Sequence, residues 1–245
     1  MDMHSVALAH ATTRAYHQRV SDALDRILRW NELVIQPYIA FSAGKDSTVS
    51  LHLTRQVISD CVAIYIDAGC AFPEATDLLH ATPNVLTFAA DEPFLDTLER
   101  MGGVDGGREL ENETMRTTVI HPLARLRSEG YDGHVVGLRA EENRGRDMNF
   151  KIHGAIYYHS GYAMWVCQPI VDWSYDDVWA YIFSNGIEYC KTYDKMWHMP
   201  REWQRISYWA GETGRRYGRW AWLRQNYPEL FDKLVSRFPN AARYT

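Results

Sequence analysis

The stretch Tyr38–Leu53, "YIAFSAGKDSTVSLHL", decides how this chain folds. With Pro37 in front, "PYIAFS" is a short apolar run that reads as a buried strand. From Asp46 to Val57 the apolar residues recur at helical spacing. Between them lies a small-residue turn. A strand that bends sharply into a helix presents backbone N–H groups and the positive end of a helix dipole, which is an anion site and most often a phosphate site. Ala43 and Gly44 keep bulk away from that bend. Lys45 adds a full positive charge, and Ser42 and Ser47 add hydroxyl donors. Asp46 is the odd member, because a carboxylate repels phosphate. It suits an N-cap position, or a ligand to a Mg²⁺ that itself holds phosphates. The pattern is not a Walker A loop, which needs glycine where Ile39 stands. The alternative is a polar elbow with no ligand.

Outward from this bend, strands and helices alternate. "CVAIYID" (Cys61–Asp67), "NVLTFA", "GHVVGLR" and "MWVCQPI" read as four further buried strands. Helical patterns fill the gaps, from Ala15 to Leu33, in "FPEATDLLH", "PFLDTLERM", "TTVIHPLARLRSEG" and "SYDDVWAYIFSNG". "GGVDGG" reads as a flexible loop. In the last helix Ser174 is an N-cap, Asp177 sits three residues on, and Gly186 is a stop. Near-continuous apolar strands between helices predict an α/β fold with a doubly wound, mostly parallel sheet of five strands. The last sixty residues lose the strand signal. They divide the chain into a nucleotide-binding domain at 1–190 and a helical, basic and aromatic-rich extension at 191–245, packed on it.

Composition narrows the class. The 245 residues are 46% hydrophobic and 23% charged, with a formal net charge of -5. That balance is ordinary for a soluble globular protein and gives no indication of nucleic acid as a partner. Cys61, Cys70, Cys167 and Cys190 contain no C-x-x-C pair, and Cys61 and Cys167 sit in apolar runs as small core residues. The N-terminus has no basic region leading into a long apolar core, and no run of about 18 apolar residues exists, so neither signal peptide nor membrane span is expected. The expected compartment is reducing and cytoplasmic. The histidines show no metal spacing on a helix.

Four ordered stretches carry a family resemblance: "FSAGKDS", "IYIDAGCAFPEATDLL", "VVGLRAEENRGR" and "QPIVDWSYDDVWAYIFSNGIEY". The first resembles the S-G-G-x-D-S loop of the PP-loop ATP pyrophosphatases. Together they resemble the phosphoadenosine phosphosulfate (PAPS) reductase family, which includes the small subunit of ATP sulfurylase. The resemblance implies a Rossmann-like fold of the adenine nucleotide α-hydrolase type. It implies that Ser42, Ala43, Gly44, Lys45, Asp46 and Ser47 grip the β,γ-phosphates of ATP, or the equivalent groups of PAPS or adenylyl sulfate. Asp67 matches the family's D-T-G position beside the adenosine, and its alternative is a loop cap. Arg139, Glu141, Glu142 and Arg146 match G-x-R-x-E-E-S-x-x-R, with Asn143 in place of serine and Arg144 beside them at one of its open positions. Arginines there bind phosphate oxygens, and Glu141 and Glu142 orient them or bind a metal. Ala43 replaces the second loop glycine, which is harmless if that residue does not need a positive φ. In "DWSYDDVW", Trp173 and Trp179 read as packing residues and Asp176 and Asp177 as first-turn acids.

Three functions follow from the resemblance. The first is an ATP pyrophosphatase, an adenylyltransferase of sulfur metabolism or a related transferase, using ATP and Mg²⁺. Lys45, Asp46 and Arg139 would be its catalytic groups, Asp46 acting through the metal. The acceptor stays open. The second is a sulfonucleotide reductase, but the family's C-terminal E-C-G-L-H-like motif is missing. The third is a nucleotide-binding subunit of a sulfur-transfer or nucleic-acid-modifying complex, with a partner subunit or a second copy. The segment Lys191–Arg224 holds eight Lys and Arg against three acids, hence +5 and -10 elsewhere. It also holds Trp197, Trp203, Trp209, Trp220 and Trp222. Interleaved cations and rings suit a phosphate- or base-bearing substrate. Arg215, Arg216 and Arg219 are its expected exposed cationic face. The alternative is a cap whose tryptophans pack.

Overall fold

The computed structural model describes residues 3–105, 107–195, 204, 206 and 218–245. In chain order these form α1 (Met3–His10), α2 (Arg14–Asn31), β1 (Pro37–Ala40), α3 (Lys45–Val57), β2 (Val62–Asp67), α4 (Pro73–Ala81), β3 (Val85–Ala89) and α5 (Phe94–Arg100). There follow α6 (Arg108–Met115), a π-helical turn Arg116–Ile120, α7 (His121–Ser128), β4 (Gly133–Val135), α8 (Arg144–His153), β5 (Ile156–His159), β6 (Met164–Cys167) and α9 (Tyr175–Ser184). Helices Arg219–Asn226 and Pro228–Arg237 and a 3₁₀ turn Pro239–Tyr244 close the described chain.

The six strands form one sheet in the order β3-β2-β1-β4-β6-β5. β1 runs parallel to both β2 and β4, and β4 parallel to β6. β5 is antiparallel to β6, with Tyr158 opposite Trp165. The parallel strands are the apolar runs of the sequence, and Ile39, Ala63, Ile64, Val135, Val166 and Cys167 are buried on them. The sixth strand, β5, is the departure from a five-stranded sheet. "IYYH" carries polar groups on an edge strand and lacks the continuous apolar run that marks a central one. Its signal is the hairpin, two β-prone runs joined by four residues containing glycine. The "GGVDGG" loop also holds a 3₁₀ turn at Gly103–Asp105.

The chain divides into two compact units. Unit 1 holds residues 1–65, 78–87 and 123–190. Unit 2 holds 66–77, 88–122 and 191–245. Position 190 is thus one boundary, but unit 2 also takes two earlier segments. In unit 1, α2 carries Trp30, whose indole Nε1 donates to the Trp165 carbonyl at 3.0 Å and ties the helix to β6. Ser174 caps α9: its Oγ accepts from Asp177 N at 3.1 Å, while Asp177 Oδ2 accepts from Ser174 N at 2.7 Å. Gly186, φ 59°, ends that helix in the left-handed region. Trp173 and Trp179 are buried, as the sequence suggests. Asp177 does more than start a helix: buried beneath α1, it receives His10 at 2.8 Å and Arg19 at 3.0 Å.

Unit 2 has its own core, in which Phe72, Phe94, Leu98, Trp220, Trp222 and Phe231 pack together. Phe72 stacks on Tyr227 with ring centroids 4.4 Å apart. Trp197, Trp203, Trp209, Arg215 and Arg216 lie outside the described residues. The expectation for Arg219 is corrected: it is 4% exposed, and its guanidinium lies 4.4 Å from the Trp222 ring and 5.2 Å from that of Phe72. A planar, weakly hydrated cation can be buried on aromatic faces, so a basic residue among tryptophans need not face solvent.

Candidate nucleotide-binding site

Strand order places the first site element. The chain leaves β1 for β2 and β3 on one side, then returns to β4 on the other. β1 and β4 therefore flank the topological switch point, where a crevice opens at the carboxyl ends of the strands. The loop Ser42–Ser47 leaves β1 there, and Gly137–Arg139 leaves β4.

The loop is held by its own serines. Ser47 Oγ donates to the Gly44 carbonyl at 2.9 Å, Ser42 N donates to Ser47 Oγ at 3.3 Å, and the two hydroxyls lie 3.2 Å apart. The N-cap of α3 is Gly44, with no side chain capping it. Asp46 is therefore not the N-cap but a first-turn residue. Ala43 has φ 60°, in the left-handed region, and its side chain is buried. The bend thus needs the conformation that glycine adopts freely, and alanine holds it under strain.

Lys45 is 1% exposed, and its Nζ lies 2.6 Å from Asp46 Oδ2 and 6.0 Å from the Tyr175 ring centroid. Asp46 Oδ1 accepts from Arg139 Nε at 2.6 Å. Burial raises the Asp46 carboxyl, but the charges of Lys45 and Arg139 outweigh it and hold the group below its ordinary value. Both Asp46 oxygens thus face cations, which makes it an orienting group. Among the described residues no three His, Cys, Asp or Glu side chains gather as a metal set.

Gly137 explains how Arg139 reaches Asp46. A Cβ at Gly137 would stand 2.7 Å from the Asp46 carbonyl oxygen and 2.9 Å from Ser47 N. These are backbone atoms of the first turn of α3, so only glycine lets the exit of β4 descend onto that turn. Arg139, 2% exposed, then pairs with Asp46 and with Glu141. Glu142 Oε2 accepts from Arg139 N at 3.2 Å and pairs with Arg146, so it binds the motif's two ends together. Asn143 Oδ1 accepts from Arg146 N at 2.9 Å and caps α8, the task its amide shares with serine. Arg144 does not join the Lys45–Asp46–Arg139 network. It is exposed and lines a cavity of about 480 Å³ with Glu141, Asp147, Asp172 and Trp173. In unit 2, Asp67 is exposed and its Oδ1 accepts from Gly69 N at 2.8 Å, a loop cap. Tyr175 and Gly137 both lie within the stretches that carry the family resemblance, but nothing in the sequence assigns either a role.

Comparison with known proteins follows the same lines. An uncharacterized protein of Methanocaldococcus jannaschii is 26% identical over 200 residues, 80% of this chain and 46% of its own length. A second from that organism is covered to 42%. The chain thus spans less than half of these two relatives. The adenosine 5'-phosphosulfate reductase of Staphylococcus saprophyticus is 26% identical over 175 residues, 69% of this chain and 70% of that enzyme. Among solved structures, the PAPS reductase of Candida auris, a phosphate complex, aligns with TM-score 0.56 at 17% identity over 76% of this chain and 87% of that one. A U34-tRNA thiolase of Methanococcus maripaludis, with its [4Fe-4S] cluster, gives 0.52 at 14% over 94% and 81%. The FMN adenylyltransferase of Candida glabrata gives 0.51 at 12% over 80% and 67%. These likenesses establish the Rossmann-like adenine nucleotide α-hydrolase fold. Residues 36–210, which contain the β1 loop and the arginine motif after β4, match the phosphoadenosine phosphosulfate reductase domain, and the chain belongs to that family.

Proposed function

We propose that this chain is an ATP pyrophosphatase that transfers AMP to an acceptor. An acceptor oxygen attacks the α-phosphorus of ATP, the bond to the β-phosphate bridging oxygen breaks, and pyrophosphate leaves. Such chemistry asks the protein mainly for positioning and for neutralising charge on the leaving group. The observation that carries the reading is the buried Lys45–Asp46–Arg139 cluster at the β1/β4 switch point. Two cations held by one carboxylate, beside the uncapped start of α3, suit the β,γ-phosphates. Asp46 Oδ2, 2.6 Å from Lys45 Nζ, offsets the burial of that cation. Mg²⁺ is best held by the nucleotide's own oxygens, because both Asp46 oxygens face cations, and it would add charge neutralisation on the leaving pyrophosphate.

Three of the four thiols support transfer over reduction. Burial pushes Cys61 up to about 11 and Cys70 and Cys167 up to about 12, so these three are protonated at neutral pH and poor nucleophiles. The adenosine 5'-phosphosulfate reductases among the relatives keep a second reading in play, reduction of a sulfonucleotide. ATP–pyrophosphate exchange and thiol-dependent sulfite release, measured on one preparation, separate the two. Exchange that needs Lys45 supports AMP transfer. Sulfite release without exchange supports the reductase. Lys45→Ala should weaken ATP binding at least tenfold while leaving the melting curve of a folded protein. Unchanged affinity for both ATP and PAPS would remove the phosphate-loop assignment.

A further inference from the structure

The cavity beside the arginine motif lies within unit 1, between the turn after β4, the start of α8 and the segment after β6. Its size, about 480 Å³, fits a small organic molecule. Three carboxylates line it, and each meets a cation. Asp172 forms two bonds with Arg26, at 2.6 and 2.7 Å. Asp147 receives Lys151 at 2.7 Å, and Glu141 pairs with Arg139. Arg144 is the remaining wall charge, and no ion pair engages it among the described residues. The wall itself carries three carboxylates and one arginine, and each carboxylate is paired by a cation from outside the lining, so Arg144 is the wall charge without an ion pair among the described residues. Beside it stand Val171 and Trp173, each 1% exposed, and the Trp173 indole N–H meets no acceptor among the described residues.

We propose that this cavity is the acceptor subsite, and that it takes a small acid: one carboxylate or phosphoester on a compact apolar or aromatic body. The anion meets Arg144 and the body lies along Val171 and Trp173. Glu141 joins this wall to Arg139, and Arg139 to Asp46, so two ion pairs link the wall to the group that holds Lys45. The assignment rests on the transferase reading for the word acceptor, but not for the site itself.

Binding can be tested without nucleotide. The probes are benzoate and phenyl phosphate, with neutral benzamide as the isostere, followed on the indole N–H resonances of ¹⁵N-labelled protein. Trp173→Phe identifies the reporting signal. Saturable shifts of that signal are expected with either anion, at least tenfold weaker with benzamide, and at least tenfold weaker for both anions in Arg144→Gln. Preference for phenyl phosphate over benzoate, or the reverse, identifies the anionic group. Arg144 is exposed, so its replacement should fold, and Arg144→Lys should recover part of the affinity. Equal binding of benzamide, or anion binding unchanged in Arg144→Gln, would overturn the assignment. Loss of nucleotide affinity in Lys45→Ala reports on the loop alone, so failure at the cavity and failure at the loop are read separately.

Discussion

At the scale of single residues, strain and burial sort the side chains that the sequence presented as equals. Ala43 stands in the left-handed region, φ 60°, with its methyl enclosed. That conformation costs an L-residue about 1–2 kcal/mol, while glycine in the unfolded chain costs back about 0.5–1 kcal/mol. Ala43→Gly should therefore raise stability by up to about 1 kcal/mol. The midpoint of a urea transition measures it, and a lowered midpoint would show that the buried methyl contributes more than the strain removes. Arg219 makes the opposite case. It packs on Trp222 and Phe72, and Arg219→Ala should lower stability by about 1–3 kcal/mol. A large salt dependence of substrate binding, with stability untouched, would return Arg219 to the role of a surface cation.

At the scale of elements, the site exists because two chain segments touch without side chains between them. β4 ends, Gly137 crosses the first turn of α3, and Arg139 arrives at Asp46. Gly137→Ala puts a methyl into the Asp46 and Ser47 backbone, which cannot turn aside as a side chain can. The expected cost is about 1–3 kcal/mol of stability, and nucleotide affinity should fall with it, because Arg139 is carried away from the loop. Thermal melts beside nucleotide titrations test this, and normal affinity in a folded Gly137→Ala protein would show that the close approach is incidental. The capping of α9 was legible, since S-x-x-D before an apolar run states its own geometry. Gly137 was not, because the need for a missing Cβ appears only when a segment 90 residues away is in place.

At the scale of the whole molecule, the parallel strands were readable because each is an apolar run whose period leaves no other role. β5 was not, being a polar edge strand, and neither was the assignment of residues 66–77 and 88–122 to one unit with the C-terminal segment. That assignment depends on contacts far apart in sequence, and no local pattern encodes them. The buried histidine of the sheet was equally silent. His134 lies on β4 against the Tyr38 ring, 5.1 Å between centroids, and burial, reinforced by His159, lowers it to about 4. An unfolded histidine titrates near 6.5. Above that pH both states are neutral and His134 is neutral in its effect. As pH falls from about 6.5 toward 4 the unfolded chain takes up a proton that the native state refuses, and stability falls by roughly 3 kcal/mol over that window. Asp46, held below its ordinary value by Lys45 and Arg139, adds stability that is present above about pH 4 and is lost on further acidification. The two losses are thus consecutive. Urea midpoints taken from pH 7.5 down to pH 4.5 should decline in the native protein and decline much less in His134→Phe, which keeps the ring and removes the proton site. Parallel declines in the two proteins would show that the acid sensitivity arises elsewhere in the molecule.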